Sequence, residues 1–528
     1  MANEKYFGVM LDMSRNGVMK VEKVKEYVDY LVKIGYNMIQ LYTEETFEVE
    51  NEPYFGYMRG RYSIDDMIEL DKYCVSKGVE LIPCVQTLAH LNGIFKWNDY
   101  KVIQDTQDIL LAEEERTYTL IDNIFKTLAK CFTSRRVNIG MDEAHMLGLG
   151  AYLSKHGYQN RFGIIKKHLE KVIEIANKYG FKPMMWSDMF YRLANKGNYY
   201  GTNNITEEVK NSVPKGVDLV YWDYYHVDEK IYNNMISNHL QFNNDIWFAG
   251  GAWTWSGFAP DIDFTLKTMK PAIKVLKKKN VDKIMFTMWG DDGSETSYFS
   301  TLPVLFYLKE YYDGNRNLMD IKSKFKALTG EDYDAMVSLQ LGNSIFKNSP
   351  TRSTTRYLVY GDLFNFFYND IWGDEYKDKL LKGARKLKRL GKDSKFKYLF
   401  DYESDLLYFL SIKYNLAFKI RKAYKDNDKE ELKLIIKDIT KLEKYLNNFY
   451  KSFRNFWYTD RNPFGFDVSD GRFGALKQRI ASCKERLIDY VDGKISKIDE
   501  LEIEFLPYSS DNRSYACWRD ITTVNRIW

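Results

Sequence analysis

The sequence predicts an α/β architecture: a (β/α)8 barrel, the TIM barrel, over residues 1–314, followed by a mostly α-helical C-terminal domain over residues 315–528. Three observations predict it. Eight short runs rich in β-branched and aromatic residues recur through the first three-fifths of the chain. Helical patterns that stop at glycine separate many of them. From about Asn315 the strand pattern ceases.

The eight runs are Tyr6–Leu11, Asn37–Tyr42, Val79–Val85, Arg136–Met141, Lys182–Ser187, Asp218–Asp223, Asp245–Gly251 and Lys283–Trp289. Their near-continuous apolarity fits strands covered on both faces, as in a parallel sheet. Between them, Val21–Ile34 places Val24, Tyr27, Val28, Leu31 and Val32 on one stripe, and Gly35 stops it. Ser63–Lys77 opens Ser-Ile-Asp-Asp, a start like a capping box, and closes at Gly78; Ile164–Tyr179 closes at Gly180. Glycine just past the last turn is the expected C-terminal signal of a helix. Eight such units in roughly 300 residues match a closed barrel in count and length, with a doubly wound sheet as the alternative. Beyond Asn315, Lys/Glu/Leu-rich stretches such as Asp428–Phe449 read as helices. Asn455–Arg472, aromatic and interrupted by Pro463 and Gly465, reads as a loop between helices, packed between domains or lining a substrate groove.

Composition narrows the function. Hydrophobic residues make up 45% and charged residues 28%, enough for a sizeable core. Lys+Arg 77 against Asp+Glu 73 gives +4, too balanced for a nucleic-acid or membrane-surface partner. The runs Lys277–Lys279 and Lys386–Arg389 lie in helical patterns and read as solvated faces. The N-terminus leads into a strand without signal-peptide features, and no apolar run is long enough to span a bilayer. Cys74, Cys84, Cys131, Cys483 and Cys517 are odd in number and form no CxxC pair, so reduced thiols in a cytoplasmic protein are expected.

Barrel enzymes work at the C-terminal ends of their strands. There the sequence places Asp12 and Arg15 after strand one, Glu44 and Glu45 after strand two, and His90 after strand three. Strand four delivers Asp142 and Glu143 side by side. Strand five ends at Trp186-Ser-Asp188 and strand six at Tyr221-Trp222-Asp-Tyr224. Trp253 and Trp255 end strand seven, Trp289 and Asp291 strand eight. Carboxylates, one arginine, one histidine and a ring of tryptophans around one mouth suit a glycosidase. Asp142, Glu143 and His145 do not converge readily on a metal from one turn, and neither metal nor organic cofactor is expected.

This set resembles glycoside hydrolase family 20, the β-N-acetylhexosaminidases, across about Met1 to Gly314. The resemblance rests on Leu11-Asp12-x-x-Arg15 after strand one, Gly140-x-Asp142-Glu143 after strand four and Trp289-x-Asp291 after strand eight. It implies a retaining exo-enzyme that removes terminal β-linked GlcNAc, with GalNAc as second candidate, from an oligosaccharide or glycoconjugate. Glu143 would be the general acid and then the base. Asp142 would hold the sugar's 2-acetamido N–H while that group attacks its own anomeric carbon and forms an oxazolinium ion, an exception to the two-carboxylate scheme. Arg15 would grip ring hydroxyls, a task for its planar fork. His90 and Glu44 would form a His–acid pair tuning the acid, and Asp291 would reach hydroxyls on the far side of the ring. Trp186, Trp222, Trp253 and Trp289 would wall the pocket.

The sequence departs from the family pattern in three places. Strand seven ends Ala252-Trp-Thr-Trp255 where Tyr-x-Asp is usual, leaving Tyr224 as the candidate for the missing tyrosine. Asp291 stands where the family usually has Glu. The small α/β domain usual before the barrel has no counterpart, and a helical domain follows instead, from which a homodimer is expected by analogy. Two rivals remain: a related barrel exo-glycosidase that accepts sugars without the acetamido group, and a non-catalytic carbohydrate-binding barrel.

Overall fold

The computed structural model describes residues 5–200, 205–242, 244–346, 353–366, 373–506 and 517–527. Eight strands form a closed parallel ring in sequence order: β1 Tyr6–Asp12, β2 Met38–Tyr42, β3 Glu80–Cys84, β4 Arg136–Asn138, β5 Lys182–Trp186, β6 Asp218–Trp222, β7 Ile246–Gly251 and β8 Lys283–Met288. The ring closes where Tyr6 of β1 pairs with Lys283 of β8. Each apolar run became a strand within a few residues of its expected bounds.

Local chemistry explains the helices. Val21–Lys33 buries Val24, Tyr27, Val28 and Leu31 of the expected stripe, but Val32 is exposed and Tyr30 is buried instead. Ser63 caps Ile64–Ser76 in a true capping box, its side chain accepting from Asp66 N while Asp66 accepts from Ser63 N. Arg161–Lys178 begins at Asn160, whose side chain accepts from Phe162 N.

β4 is shorter than expected, and the reason positions the site. Gly140 and Met141 take left-handed φ of 73° and 69°, which ends the extended backbone after Asn138. A Cβ on Gly140 would lie 2.1 Å from Gln86 Oε1, so only glycine fits beside this side chain. Gln86 Oε1 also accepts from Met141 N at 3.1 Å. Asp142 and Glu143 therefore stand on a bent tip beyond the strand, not on the strand itself.

The chain divides into two compact units. One comprises residues up to Ala252, Phe264–Trp289 and Val304–Lys324; the other comprises Trp253–Asp263, Gly290–Pro303 and Phe325 onwards. The second is helical, and aromatic residues pack its core: Tyr402 stacks on Phe449 and Phe456 at 5.9 and 5.3 Å, and Phe453 packs on Phe473 at 5.5 Å. Here one expectation fails. Asn455–Arg472 is not a loop: the helix Lys429–Asp460 runs through its first third, and Phe466–Val491 begins inside it. Only Arg461–Gly465 breaks the helices, with Gly465 at φ 83°. Pro463 and Gly465 confine the break, while Phe456, Trp457, Phe466 and Phe473 are buried helical residues. No helix among the described residues is long and apolar enough to cross a membrane.

Candidate active site

The barrel tips carry a ring of contacts that returns to its start. Arg15 Nη1 lies 3.0 Å from Glu44 Oε1, and Asp12 Oδ2 backs Arg15 Nε at 3.7 Å. Tyr42 donates its hydroxyl to Glu44 Oε1 at 2.9 Å. Gln86 Nε2 donates to both the Tyr42 oxygen, at 3.0 Å, and Asp142 Oδ1, at 2.8 Å. His90 Nε2 stands 3.1 Å from Asp142 Oδ2 and 4.0 Å from Glu143 Oε2. Asp188 Oδ2 accepts from Glu143 N at 3.1 Å and from Arg192 Nε at 2.9 Å, and Arg192 Nη2 approaches Glu143 Oε1 at 3.5 Å. The Arg192 guanidinium lies over Trp222 at 5.8 Å, and Trp222 stacks on Tyr224 at 5.4 Å. The Tyr224 hydroxyl hydrogen-bonds with the side chains of Trp289 and Thr287. Trp289 meets Trp186 at 6.0 Å and Tyr42 edge-on at 4.9 Å, which closes the circuit.

Backbone strain collects at the same tips. Glu44, His90 and Glu143 all have left-handed φ, at 47°, 58° and 51°. Such conformations cost a non-glycine residue of order 1 kcal/mol and persist where the surroundings dictate them.

The two adjacent carboxylates have different environments. The Asp142 side chain is 12% exposed and that of Glu143 40% exposed. Burial works against an ionised Asp142, but the His90 charge, with hydrogen bonds from His90 and Gln86, holds its carboxyl below the usual range. In turn, burial disfavours the His90 imidazolium, yet the Asp142 charge pushes it up to about 9. Burial raises Glu44 to about 7 although the Arg15 charge opposes it. Asp188 is also pushed up to about 7, by burial and then by the Asp142 charge, with Arg192 resisting. Its Oδ1, like the indole Nε1 of fully buried Trp186, is buried without a hydrogen-bond partner among the described residues. The arrangement holds one carboxylate ionised in depth and a second, more open one beside it, with a cation against each.

The structure thus links Arg15, Glu44, His90, Asp142, Glu143, Trp186, Asp188, Trp222, Tyr224 and Trp289 within the first unit. Trp253, Trp255 and Asp291 belong to the second. There Trp253 and Trp255 stack on each other at 4.3 Å, and the Asp291 carbonyl accepts from Arg356 Nη2 at 3.1 Å. One expected pairing differs: Glu44 is engaged by Arg15, and His90 turns to Asp142 instead. Sequence reasoning passed over Arg192, and it places Gln86 and Tyr42 at strand tips without giving them a role. Arg192 follows Asp188 by one helical turn, and that (i, i+4) spacing was the signal available.

Two family models match the chain. The catalytic domain of glycosyl hydrolase family 20 matches residues 5–241, and the glycoside hydrolase 20C C-terminal domain matches residues 334–518. The chain belongs to glycoside hydrolase family 20. Among solved structures, this family-20 chain is similar to an exo-β-N-acetylglucosaminidase from Vibrio harveyi in complex with N-acetylglucosamine, at 15% identity and TM-score 0.48. That match covers 64% of this chain and 59% of the other, so the chain spans about three-fifths of that relative's length. A β-N-acetylhexosaminidase from Bacteroides fragilis is 17% identical over 62% of this chain and 69% of its own, with TM-score 0.46. A Flavobacterium johnsoniae chitobiase is 12% identical over 86% and 78%, with TM-score 0.49.

Proposed function

We propose that this family-20 protein is a retaining exo-β-N-acetylhexosaminidase acting on terminal β-linked GlcNAc by substrate-assisted catalysis. The observation that carries the reading is the division between Asp142 and Glu143. Asp142 is buried and kept ionised by His90, as a group must be to stabilise positive charge developing on an acetamido nitrogen. Glu143 is the more open carboxylate on the same tip, placed to pass a proton to a leaving oxygen and later to take one from water. Tethering the nucleophile to the substrate removes a separate encounter, worth several orders of magnitude in rate.

Other residues take supporting parts. Arg15, held by Glu44 and Asp12, binds the ring hydroxyls. Trp186, Trp222 and Trp289 bound the sugar. Tyr224 supplies the hydroxyl for the acetamido oxygen, supported by its bonds with Trp289 and Thr287 and by the reach of the Asp142 charge to it. The five cysteines are free thiols, four of them buried, which supports a reducing, cytoplasmic setting.

Hydrolysis of nitrophenyl β-N-acetylglucosaminide and nitrophenyl β-glucoside tests the reading, with a thiazoline analogue of the oxazolinium as inhibitor. The expected result is turnover of the first, little of the second, and competitive inhibition. Equal rates on both would show that the acetamido group is not the nucleophile. Glu143→Gln is expected to lower kcat on a disaccharide by about 10³-fold or more, with the thermal midpoint unchanged because the side chain is half open.

A further inference from the structure

The loop after β2 and the short turns after β3 gather three aromatic rings near the surface, Tyr54 and Tyr57 exposed and Trp97 half-buried. Tyr54 stacks on Trp97 at 5.5 Å and 27°, Tyr57 meets Trp97 edge-on at 5.4 Å, and Tyr54 and Tyr57 lie 6.0 Å apart. Tyr54 is 39% and Tyr57 45% exposed, with Met58 beside them 68% exposed. Nothing in the fold needs these faces: the core beneath is filled by Phe55 and Tyr100, both buried.

The platform is rigid, and it is fastened to the site. Glu52, buried under the loop, accepts from Tyr100, Asn123 and, bidentately, Arg116. Arg59, at the far end of the loop, donates to Glu45 Oε1 at 2.9 Å and to Asn16 Oδ1 and the Ser14 carbonyl at 2.6 Å. Those partners are the immediate neighbours of Glu44 and Arg15. A Cβ on Gly56 would sit 1.9 Å from the Glu45 carbonyl, so the loop lies directly against the β2 tip. Trp97 follows His90 on the other loop.

Large exposed rings on a braced loop beside a substrate site mark a binding surface. The apolar face of a pyranose ring carries C–H bonds of partial positive charge, which the negative face of an aromatic ring attracts. An exo-enzyme holds one terminal sugar in its pocket, so the rest of the substrate runs out over the mouth.

We propose that Tyr54, Tyr57 and Trp97 form a second sugar platform, which takes the part of the substrate beyond the terminal N-acetylhexosamine. It rests on the activity proposed above and adds a substrate class: oligosaccharides of two or more sugars, preferred over simple glycosides. The platform acts through binding alone, outside the reacting atoms.

Kinetics of Trp97→Ala and Tyr57→Ala on triacetylchitotriose and on nitrophenyl β-N-acetylglucosaminide test it. KM for the trisaccharide is expected to rise roughly tenfold (about 1.4 kcal/mol), while kcat/KM for the nitrophenyl glycoside stays within about twofold of wild type. Equal losses on both substrates, or none on the trisaccharide, would overturn the proposal. A change in sedimentation with both rates intact would assign the rings to a subunit interface and overturn it as well. Failure of the wild type on both substrates would overturn the activity itself, and the platform with it. Should Trp97→Ala not fold, the exposed Tyr57→Ala carries the comparison.

Discussion

In the second unit Glu295 is buried between Arg356 and Tyr360, at 2.8 and 2.9 Å, and Asp362 between Arg479 and two backbone N–H groups; at the barrel tips Glu44 and Asp188, as deeply buried, are pushed up to about 7. Although burial opposes it, Arg479 and its hydrogen bonds keep Asp362 below the usual carboxylate range. The helical unit has its own exception in Glu403, whose carboxyl burial drives well up, into the neutral form. Backbone strain divides less cleanly. In the second unit Asp292, Ser294 and Asn427 are the non-glycine residues in the left-handed region among the described residues, against Glu44, His90 and Glu143 on three successive strand tips of the first. Buried charge in the helical unit is matched for stability. At the tips it is matched only in part, in strained backbone, which is the pattern of groups held for chemistry.

Replacing Asp142 breaks this contrast most severely. Asp142→Asn is expected to lower kcat by about 10²–10³-fold, the usual cost of losing one charge aimed at a transition state. The same variant should move the His90 titration, followed by imidazole NMR shifts, from about 9 to below 6.5, because burial and the Arg15 charge then outweigh the Glu44 charge. His90 has a raised folded-state pKa, so its stabilisation is full below pH 6.5 and lost as pH rises through about 9. A wild-type midpoint near 6.5 would mean that His90 and Asp142 do not form a charged pair.

Arg356→Met tests the other side. Removing one partner of a buried pair leaves Glu295 only Tyr360 and the more distant Arg472, at 3.7 Å, and is expected to destabilise by about 3 kcal/mol, read in urea unfolding, with the pH dependence of kcat unchanged. A displaced pH profile would tie that pair to the chemistry and erase the distinction between the units.

The smallest effect falls on Arg192. Its guanidinium touches Glu143 and Asp188 without reaching across the site, so Arg192→Gln should lower kcat roughly tenfold. It should also raise the Asp188 carboxyl further, since Arg192 now opposes that rise, and, through the bond that Asp188 accepts from Glu143 N, move the alkaline arm of the rate profile to higher pH. A KM change without any change in the profile would make Arg192 a substrate contact instead of a positioning residue.

Much of this was written in the sequence, because its signals were local. Apolar runs of strand length gave β1 to β8, and Ser63 with Asp66 gave its helix start. Asp142 and Glu143 were legible as a pair. Their separation into a buried and an open group was not, since it depends on the bend at Gly140 and Met141 and on Gln86 from a neighbouring strand tip. Arg192 escaped notice because it sits on a helix rather than at a strand end. Asn455–Arg472 was misread because Pro463 and Gly465 signal a break without giving its length, and the helices resume wherever aromatic residues can pack.

The pairing of Tyr6 with Lys283 decides how late in synthesis the ring can close. During synthesis β1 leaves the ribosome long before the partner that covers its open side, and until Lys283–Met288 emerges the growing sheet has two bare edges, at β1 and at the newest strand. Bare edges are templates for aggregation. A nascent chain halted before β8 is therefore the form of this molecule most dependent on chaperones, however stable the finished ring.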